Sequence, residues 1–324
     1  MTAALAVHEL VVEARASRRA APVRLLDGLS LTVEPGETVA LVGESGAGKT
    51  MVALAVMGLL PSGVRAAAGS VRVAGVEVLG ASPAALRAAR GVAMAMVFQD
   101  PMSSLHPAFR VGDQVAEAMT AHDRSLSRAA ARARAVDLLD AVGIPAAAAR
   151  ARDYPHQLSG GMRQRVMIAM AIANDPALLI ADEATTALDV TVQAQVLDVL
   201  RRAQARTGAG MLVVTHDLGV VAGLADRVVV AYAGRVAEEG PTDRVLVAPA
   251  HPYTRGLLAA VPRPSGGSAP VPIPGSPAEP ATRPPGCAFH PRCPSATPEC
   301  AVERPPLTAL DPGHAVACHH PVLS

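Results

Sequence analysis

The eight residues Gly43-Glu44-Ser45-Gly46-Ala47-Gly48-Lys49-Thr50 constrain this chain more than any other stretch, because they fit G-x-x-x-x-G-K-[ST] in the context that gives the pattern meaning. A short apolar run, Thr38 to Val42, reads as a strand entering the loop. An apolar helix leaves it after Thr50 and runs to Leu60, stopped by Pro61-Ser62-Gly63. Glycines let backbone N–H groups converge on phosphate oxygens, and the positive end of the following helix adds to the attraction. Lys49 is then placed to reach the β- and γ-phosphates of a nucleotide, and the Thr50 hydroxyl to ligate Mg²⁺.

The surrounding chain supports an α/β reading. Leu29 to Val42 reads as strand, turn at Glu34-Pro35-Gly36, and strand; Ser70 to Leu79 reads as a hairpin turning near Gly75. From Val111 to Val142 the spacing is helical, with Val111, Val115 and Met119, then Val136, Leu139 and Val142 on one face, which predicts a separate α-helical subdomain. Alternation then resumes with a strand Leu178 to Ala181, a helix Val192 to Ala205, a strand Met211 to Thr215 and a strand Arg227 to Ala231. Such alternation implies a mostly parallel sheet covered on both faces.

Composition limits the partners. Half of the residues are hydrophobic but only 2 % are aromatic, so the core must be built from Ala, Val, Leu, Ile and Met. Lys and Arg (29) nearly balance Asp and Glu (28), so no net basic field points to nucleic acid. The longest apolar stretches, Met51 to Leu60 and Val166 to Ala173, fall short of the ~20 residues that cross a bilayer, and Met1 to Leu10 has no basic leader. A chain that does not span a membrane and resides in the cytosol is expected.

Candidate catalytic groups follow the strands. Leu178-Leu179-Ile180-Ala181-Asp182-Glu183 ends a buried strand in two carboxylates. Asp182 is the natural magnesium-side group, and Glu183 is placed to orient or deprotonate an attacking water, or else to cap the next segment. His216 follows the strand Met211 to Thr215 and either faces the γ-phosphate or is a surface or capping residue. Gln99, after the apolar run Val92 to Phe98, carries an amide able to touch both Mg²⁺ and water.

Leu158-Ser159-Gly160-Gly161-Met162-Arg163-Gln164-Arg165 reads as a second phosphate site, or taken alone as a capped helix and nothing more, since Ser159 and two glycines open the helix Met162 to Ala173. A chain with one γ-phosphate cradle needs no second, so ATP shared between two chains is implied. Here the sequence resembles the ABC transporter ATPases over nearly all of residues 5–262. The resemblance makes Gly43 to Thr50 the Walker A, Gln99 the Q-loop glutamine, Leu158 to Met162 the signature, Leu178 to Glu183 the Walker B, Ala187-Leu188-Asp189 the D-loop and His216 the switch histidine. It implies a P-loop NTPase cassette with a RecA-like core sheet, an antiparallel β subdomain and an α-helical subdomain at about 100–165, all within 1–262. Ser159, Gly160 and Gly161 would cover a partner's ATP, and membrane subunits would touch the region after Gln99.

Phe98-Gln99-Asp100-Pro101-Met102-Ser103-Ser104-Leu105, Tyr154-Pro155-His156-Gln157-Leu158 and His251-Pro252-Tyr253-Thr254-Arg255 are similar to the ATP-binding subunits of dipeptide and oligopeptide importers, with nickel importers as relatives. The resemblance implies ATP hydrolysis driving peptide import at the inner face of the membrane. The implied partners are a second, paralogous ATPase, two membrane permeases and an extracytoplasmic binding protein, with no nucleic acid. Met162 replaces the commoner Gln of the signature, Ala184 stands where Pro is usual, and His106 where Asn is frequent. No aromatic precedes Phe98, so Arg15, Val23 or a neighbour would meet the adenine. A soluble ABC ATPase of DNA repair or translation is the rival class, opposed by the single cassette and the lack of room for a long coiled coil.

The last 63 residues hold 16 of the 28 prolines and all four cysteines, Cys287, Cys293, Cys300 and Cys318, and read as a distinct extension over 263–324. A segment so poor in large apolar residues needs a staple, and in the cytosol a metal centre suits four clustered thiols better than disulfides. The gaps of five, six and seventeen residues match no C-x-x-C zinc pattern. The resemblance favours a [4Fe-4S] cluster; thiols without a bound metal are a second reading, and His290, His314, His319 and His320 keep zinc as a third.

Overall fold

The computed structural model describes residues 2–15, 21–100, 104–185, 189–261 and 269–322. In chain order its strands and α-helices are β1 (Leu5–Ala14), β2 (Val23–Val33), β3 (Thr38–Val42), α1 (Lys49–Val56), β4 (Val64–Val73), β5 (Val76–Glu77), α2 (Pro83–Ala89), β6 (Met94–Val97), α3 (Val111–Thr120), α4 (Arg128–Ala141), α5 (Ala147–Arg150), α6 (Gly160–Ala171), β7 (Leu178–Asp182), α7 (Val190–Thr207), β8 (Gly210–Thr215), α8 (Leu218–Leu224), β9 (Arg227–Tyr232), β10 (Arg235–Pro241), α9 (Thr242–Val247), α10 (Pro252–Ala259), α11 (Pro298–Val302), β11 (Thr308–Asp311) and β12 (His314–Val316). They form two compact units, each assembled from separated stretches of chain.

The first unit takes residues 1–5, 33–37 and 72–212. Its β6 and β7 are short apolar runs that pair in parallel from Met94↔Leu178 to Val97↔Ala181, and every residue of both is buried, as a strand covered on two faces requires. The helical region begins where the valine spacing predicts. In α3, Val111, Val115 and Met119 are buried; in α4 the buried stripe is Ala131, Ala135, Leu138 and Leu139, with Val136 only half-buried. Alanines thus share the stripe with leucines and let α4 lie close to α3. Ser127 caps α4 by accepting from the Ala130 N–H. α6 packs against α3, α4 and α7.

The second unit takes residues 6–32, 38–71 and 213–324. It carries a sheet in the order β2-β1-β4 and a run of strands in the order β3-β9-β10-β12-β11. β3 and β9 are parallel, from Val39↔Arg227 to Val42↔Val230, and the remaining pairs are antiparallel. The described part of the Pro- and Cys-rich tail belongs to this unit, and its β12 extends the sheet by pairing Val316 with Glu238.

Half of the six Phe and Tyr residues of this aromatic-poor chain meet where the tail joins β9. Tyr232, Tyr253 and Phe289 have ring centroids 4.6 to 5.3 Å apart and share a core with Val42, Val228 and Val230. Tilted and edge-on pairs of this kind add about 0.5–1.5 kcal/mol each beyond area burial. Among the described residues no helix is long and apolar enough to cross a membrane.

Candidate functional site

In the second unit, β3 is buried throughout and delivers the chain into the glycine loop. Gly43 has φ 155° and a Cβ there would stand 2.3 Å from the Ala231 carbonyl oxygen; Gly48 has φ 97° and a Cβ would stand 2.5 Å from Leu26 Cδ2. Neither position admits a side chain, which is why the loop can lie tight against β9 and β2. Gly48 is also the N-cap of α1, supplying no side-chain cap, and no acidic residue occupies the first turn. The positive end of the α1 dipole therefore faces the loop without an acidic side chain of its own first turn to offset it.

Lys49 is only 7 % exposed, and its ammonium donates to the carbonyl oxygens of Gly43 (2.7 Å) and Glu44 (3.1 Å), which holds it over the loop. Ser45, Gly46 and Thr50 are exposed, and Ala47 is buried beneath them. Glu44 is fixed from two sides. Its N–H donates to the Tyr253 hydroxyl at 2.7 Å, and its carboxylate accepts from Arg292 Nη1 (2.6 Å) and Nη2 (3.0 Å). The hydrogen bonds that Arg292 donates to Glu44 raise the Arg292 pKa further above its ordinary value, and burial raises that of Tyr253. His216 closes β8 and is exposed, while Asp217 caps α8 through the Gly219 N–H. Arg15 and Val23 lie on either side of residues 16–20, which are outside the described residues.

In the first unit, the parallel pairing of Val97 with Ala181 sets the ends of β6 and β7 side by side, so Gln99 and Glu183 each lie two residues beyond the pair. Gln99 Nε2 donates to Glu183 Oε2 at 2.9 Å. Asp182 is buried at the end of β7, and Glu183 takes a left-handed conformation, φ 47°. That conformation costs a non-glycine residue on the order of 1 kcal/mol or more and turns the carboxylate out of the strand's alternation.

The same unit holds the helix start around Ser159. The Ser159 hydroxyl accepts from the Met162 N–H and caps α6; Gly160 has open space where a Cβ would be. Gly161 does not: a Cβ would stand 2.7 Å from Val192 Cγ1 of α7. Asp189, the N-cap of α7, accepts from the Val192 N–H at 2.9 Å, so one residue, Val192, joins the two helix starts. Upstream, Gln157 accepts from the Tyr154 N–H, and Arg163 donates to the Pro155 carbonyl, which explains the 154–158 segment as a brace for α6. Ala187, Leu188 and Pro101 to Ser103 lie outside the described residues.

The candidates thus divide between the units: Gln99, Ser159, Gly160, Gly161, Asp182, Glu183 and Asp189 in one, Gly43 to Thr50 and His216 in the other. Sequence reasoning missed Tyr253 and Arg292. Tyr253 lies inside the segment His251 to Arg255, whose sequence marks no role for it, and Arg292 adjoins Cys293 with no motif of its own.

The four cysteines are free and line one small hollow together with His290, His319 and His320. Burial pushes the thiols of Cys287 and Cys293 up, and that of Cys318 to about 11; the charges of neighbouring cysteines push in the same direction. The donor chemistry suits a four-thiolate group. The hollow itself is about 10 Å³, and among the described residues no three His, Cys, Asp or Glu side chains are grouped to hold a metal ion.

Residues 26–186 match the ABC transporter family model, and residues 237–300 match the oligopeptide/dipeptide transporter C-terminal region. An oligopeptide transport ATP-binding protein, OppD, of Mycobacterium tuberculosis is 54 % identical over 299 residues, covering 92 % of this chain. The chain spans about half, 49 %, of that relative's length. A putative peptide import ATP-binding protein of Brucella melitensis is 48 % identical over 313 residues, covering 93 % of this chain and 92 % of its own. The dimeric post-hydrolysis structure of the ATP-binding cassette MJ0796 bound to ADP and Pi has a TM-score of 0.64 at 26 % identity, covering 74 % of this chain and 98 % of that one. The chain therefore belongs to the ABC transporter family, with the cassette fold of that family and the C-terminal region of its oligopeptide/dipeptide branch.

Proposed function

We propose that this chain is the ATP-hydrolysing subunit of an importer of short peptides. One observation carries the hydrolytic part: the amide of Gln99 holds the Glu183 carboxylate at 2.9 Å beside the buried Asp182. A carboxylate held by an amide, next to a second carboxylate that stays at the strand end, is arranged to orient and accept a proton from a water attacking in line. The glycine loop and Lys49 bind and orient the phosphates, and His216 meets the γ-phosphate. Thr50, Gln99 and Asp182 would hold the magnesium ion that accompanies ATP, which spreads the negative charge of the transferred group. Ser159, Gly160 and Gly161 cover the ATP of a second cassette, and Asp189 stands at the same face.

The peptide substrate rests on the names of the relatives and on the C-terminal region match. Two permease subunits, a second ATPase and an extracytoplasmic binding protein complete the complex, and the chain sits at the inner membrane face. The ATPase rate of the reconstituted complex, compared with short peptides, nickel and no ligand, tests this. Stimulation by peptides is expected; stimulation by nickel alone replaces the substrate, and co-purification with nucleic acid instead of membranes ends the transport reading.

A [4Fe-4S] cluster, or zinc, would draw on the four thiols that line one hollow as a structural staple of the tail, and would require them to close from the spacing they have among the described residues. Anaerobic purification followed by iron and acid-labile sulfide assays is the test. Zinc without sulfide removes the cluster, and neither metal removes both.

A further inference from the structure

A cavity of about 520 Å³, within the range of small-molecule sites, opens in the second unit between β1, β2, β10 and the tail. Its wall is of two kinds. Leu307, 41 % exposed, supplies an apolar side together with the small uncovered edges of the core residues Phe289 and Tyr232; Glu9, Arg235 and Arg304 supply charge.

The charged side is out of balance. The Asp27 carboxylate accepts from Arg24 (3.0 Å), Arg235 (2.9 Å) and Arg283 (3.2 Å), so three guanidinium groups crowd one carboxylate, and Arg24 also faces Glu13 at 3.8 Å. Arg304 donates to the Asp27 carbonyl oxygen at 3.4 Å and feels the charges of the Asp27 and Glu9 carboxylates. Burial first, and then the charge of Arg235, holds the Arg304 pKa below its ordinary value, while the carboxylates of Asp27 and Glu9 oppose this. Beside it lies Glu9, whose φ of 46° places it in the left-handed region while its N–H is held by the Ser30 hydroxyl at 2.9 Å. Gly28 shows how near the two are: a Cβ there would stand 3.0 Å from Glu9 Oε2 and 3.8 Å from Arg304 Nη2. The cavity therefore offers a carboxylate and a guanidinium as neighbours, a surplus of positive charge behind them, and an aromatic wall.

An α-amino acid carries its ammonium and carboxylate on one carbon, roughly 3 Å apart, and its side chain on the same atom. We propose that this cavity binds a free α-amino acid with an apolar side chain, its ammonium on Glu9, its carboxylate on Arg304 and Arg235, and its side chain against Phe289 and Leu307. A simple anion would leave Glu9 as a repulsive neighbour, and a simple cation would meet the arginines. If the transport reading holds, on which this clause alone rests, the ligand class is what peptidases release from imported peptides.

The site is tested by calorimetric titration of the purified full chain with phenylalanine and leucine, then with N-acetylphenylalanine, phenylalanine amide and inorganic phosphate. Binding of the free amino acids is expected, at least about tenfold tighter than either blocked derivative, with no displacement by phosphate. Glu9→Gln and Arg304→Ala, both at exposed positions, should each weaken binding about tenfold with Tm held within about 2 °C. Leu307→Ala should weaken leucine and phenylalanine but not alter Tm. Equal binding of the acetylated form, displacement by phosphate, or no heat up to about 10 mM amino acid overturns the proposal. That failure would leave the peptide-stimulated ATPase of the membrane complex unaffected, so the two readings fall separately.

Discussion

Arg292 grips both carboxylate oxygens of Glu44, so an arginine that adjoins Cys293 in the tail is also a wall of the glycine loop. The pair is separated by 248 residues in sequence. Arg292 is 5 % exposed at its side chain and Glu44 22 %, so solvent screening is partial and the contact is worth more than a surface ion pair. Arg292→Met should weaken nucleotide binding about tenfold and lower stability by about 2 kcal/mol. In a double-mutant cycle with Glu44→Gln, measured by nucleotide titration and chemical denaturation, the two changes should couple by about 1 kcal/mol or more. Additive effects would mean that the loop does not depend on the tail.

Glu183→Gln removes the proton acceptor but keeps an amide-sized group beside Gln99. Turnover should fall at least about 100-fold while ATP affinity changes little. Gln99→Ala should lower kcat less, about tenfold, because it loosens the carboxylate without deleting it. Single-turnover hydrolysis alongside equilibrium nucleotide binding separates the two, and normal hydrolysis in Glu183→Gln would end the assignment.

Two adjacent glycines should respond oppositely to the same change. Gly161→Ala drives a Cβ to 2.7 Å from the stiff Val192 side chain, and overpacking of this kind costs about 1–3 kcal/mol. Gly160→Ala meets open space in a helix and should be neutral to stabilising by up to about 1 kcal/mol. Thermal denaturation of both variants is sufficient; equal Tm values would mean that α6 and α7 are not packed as described.

His251 sets an acid limit. It is 3 % exposed, its Nδ1 accepts from the Tyr253 N–H at 2.9 Å, and burial lowers its pKa from 6.5 to about 4. The unfolded chain therefore binds a proton that the folded chain refuses between these values. Stability from this group is complete above about pH 6.5 and is lost as pH falls towards 4, by up to about 3 kcal/mol. Denaturant titrations at pH 7.5, 6 and 5 should show this slope in the native chain and a shallower one in His251→Asn, whose amide oxygen can still accept from Tyr253. Parallel slopes would place the acid sensitivity elsewhere.

Local motifs were legible in the sequence because their physics is local. The glycine loop, the Asp182-Glu183 strand end and the Ser159 helix start each need only contiguous residues, and all are formed. Boundaries were less legible. α1 was expected to reach Leu60 but ends at Val56, because Gly58 adopts φ 63° and breaks the turn. Contacts made across the chain were not legible at all: Gln99 meets Glu183 through strand register, and Arg292 meets Glu44 through the docking of the tail. The tail's low aromatic content suggested that it needs a staple, yet its single Phe289 enters the core beside β9.

The pairing of β12 with β10 also bears on biosynthesis. The partner of β10 emerges from the ribosome more than seventy residues after it, about 4–15 s later at ordinary elongation rates. For that interval a strand edge is open to other nascent chains. Glu238, whose carboxylate accepts from the Ala250 and His251 N–H groups before His314 arrives at 2.9 Å, is in that interval a charge on that edge, the device by which sheets discourage pairing with strangers. The buried carboxylate is thus a guard for the unfinished molecule before it becomes a tie within the finished one.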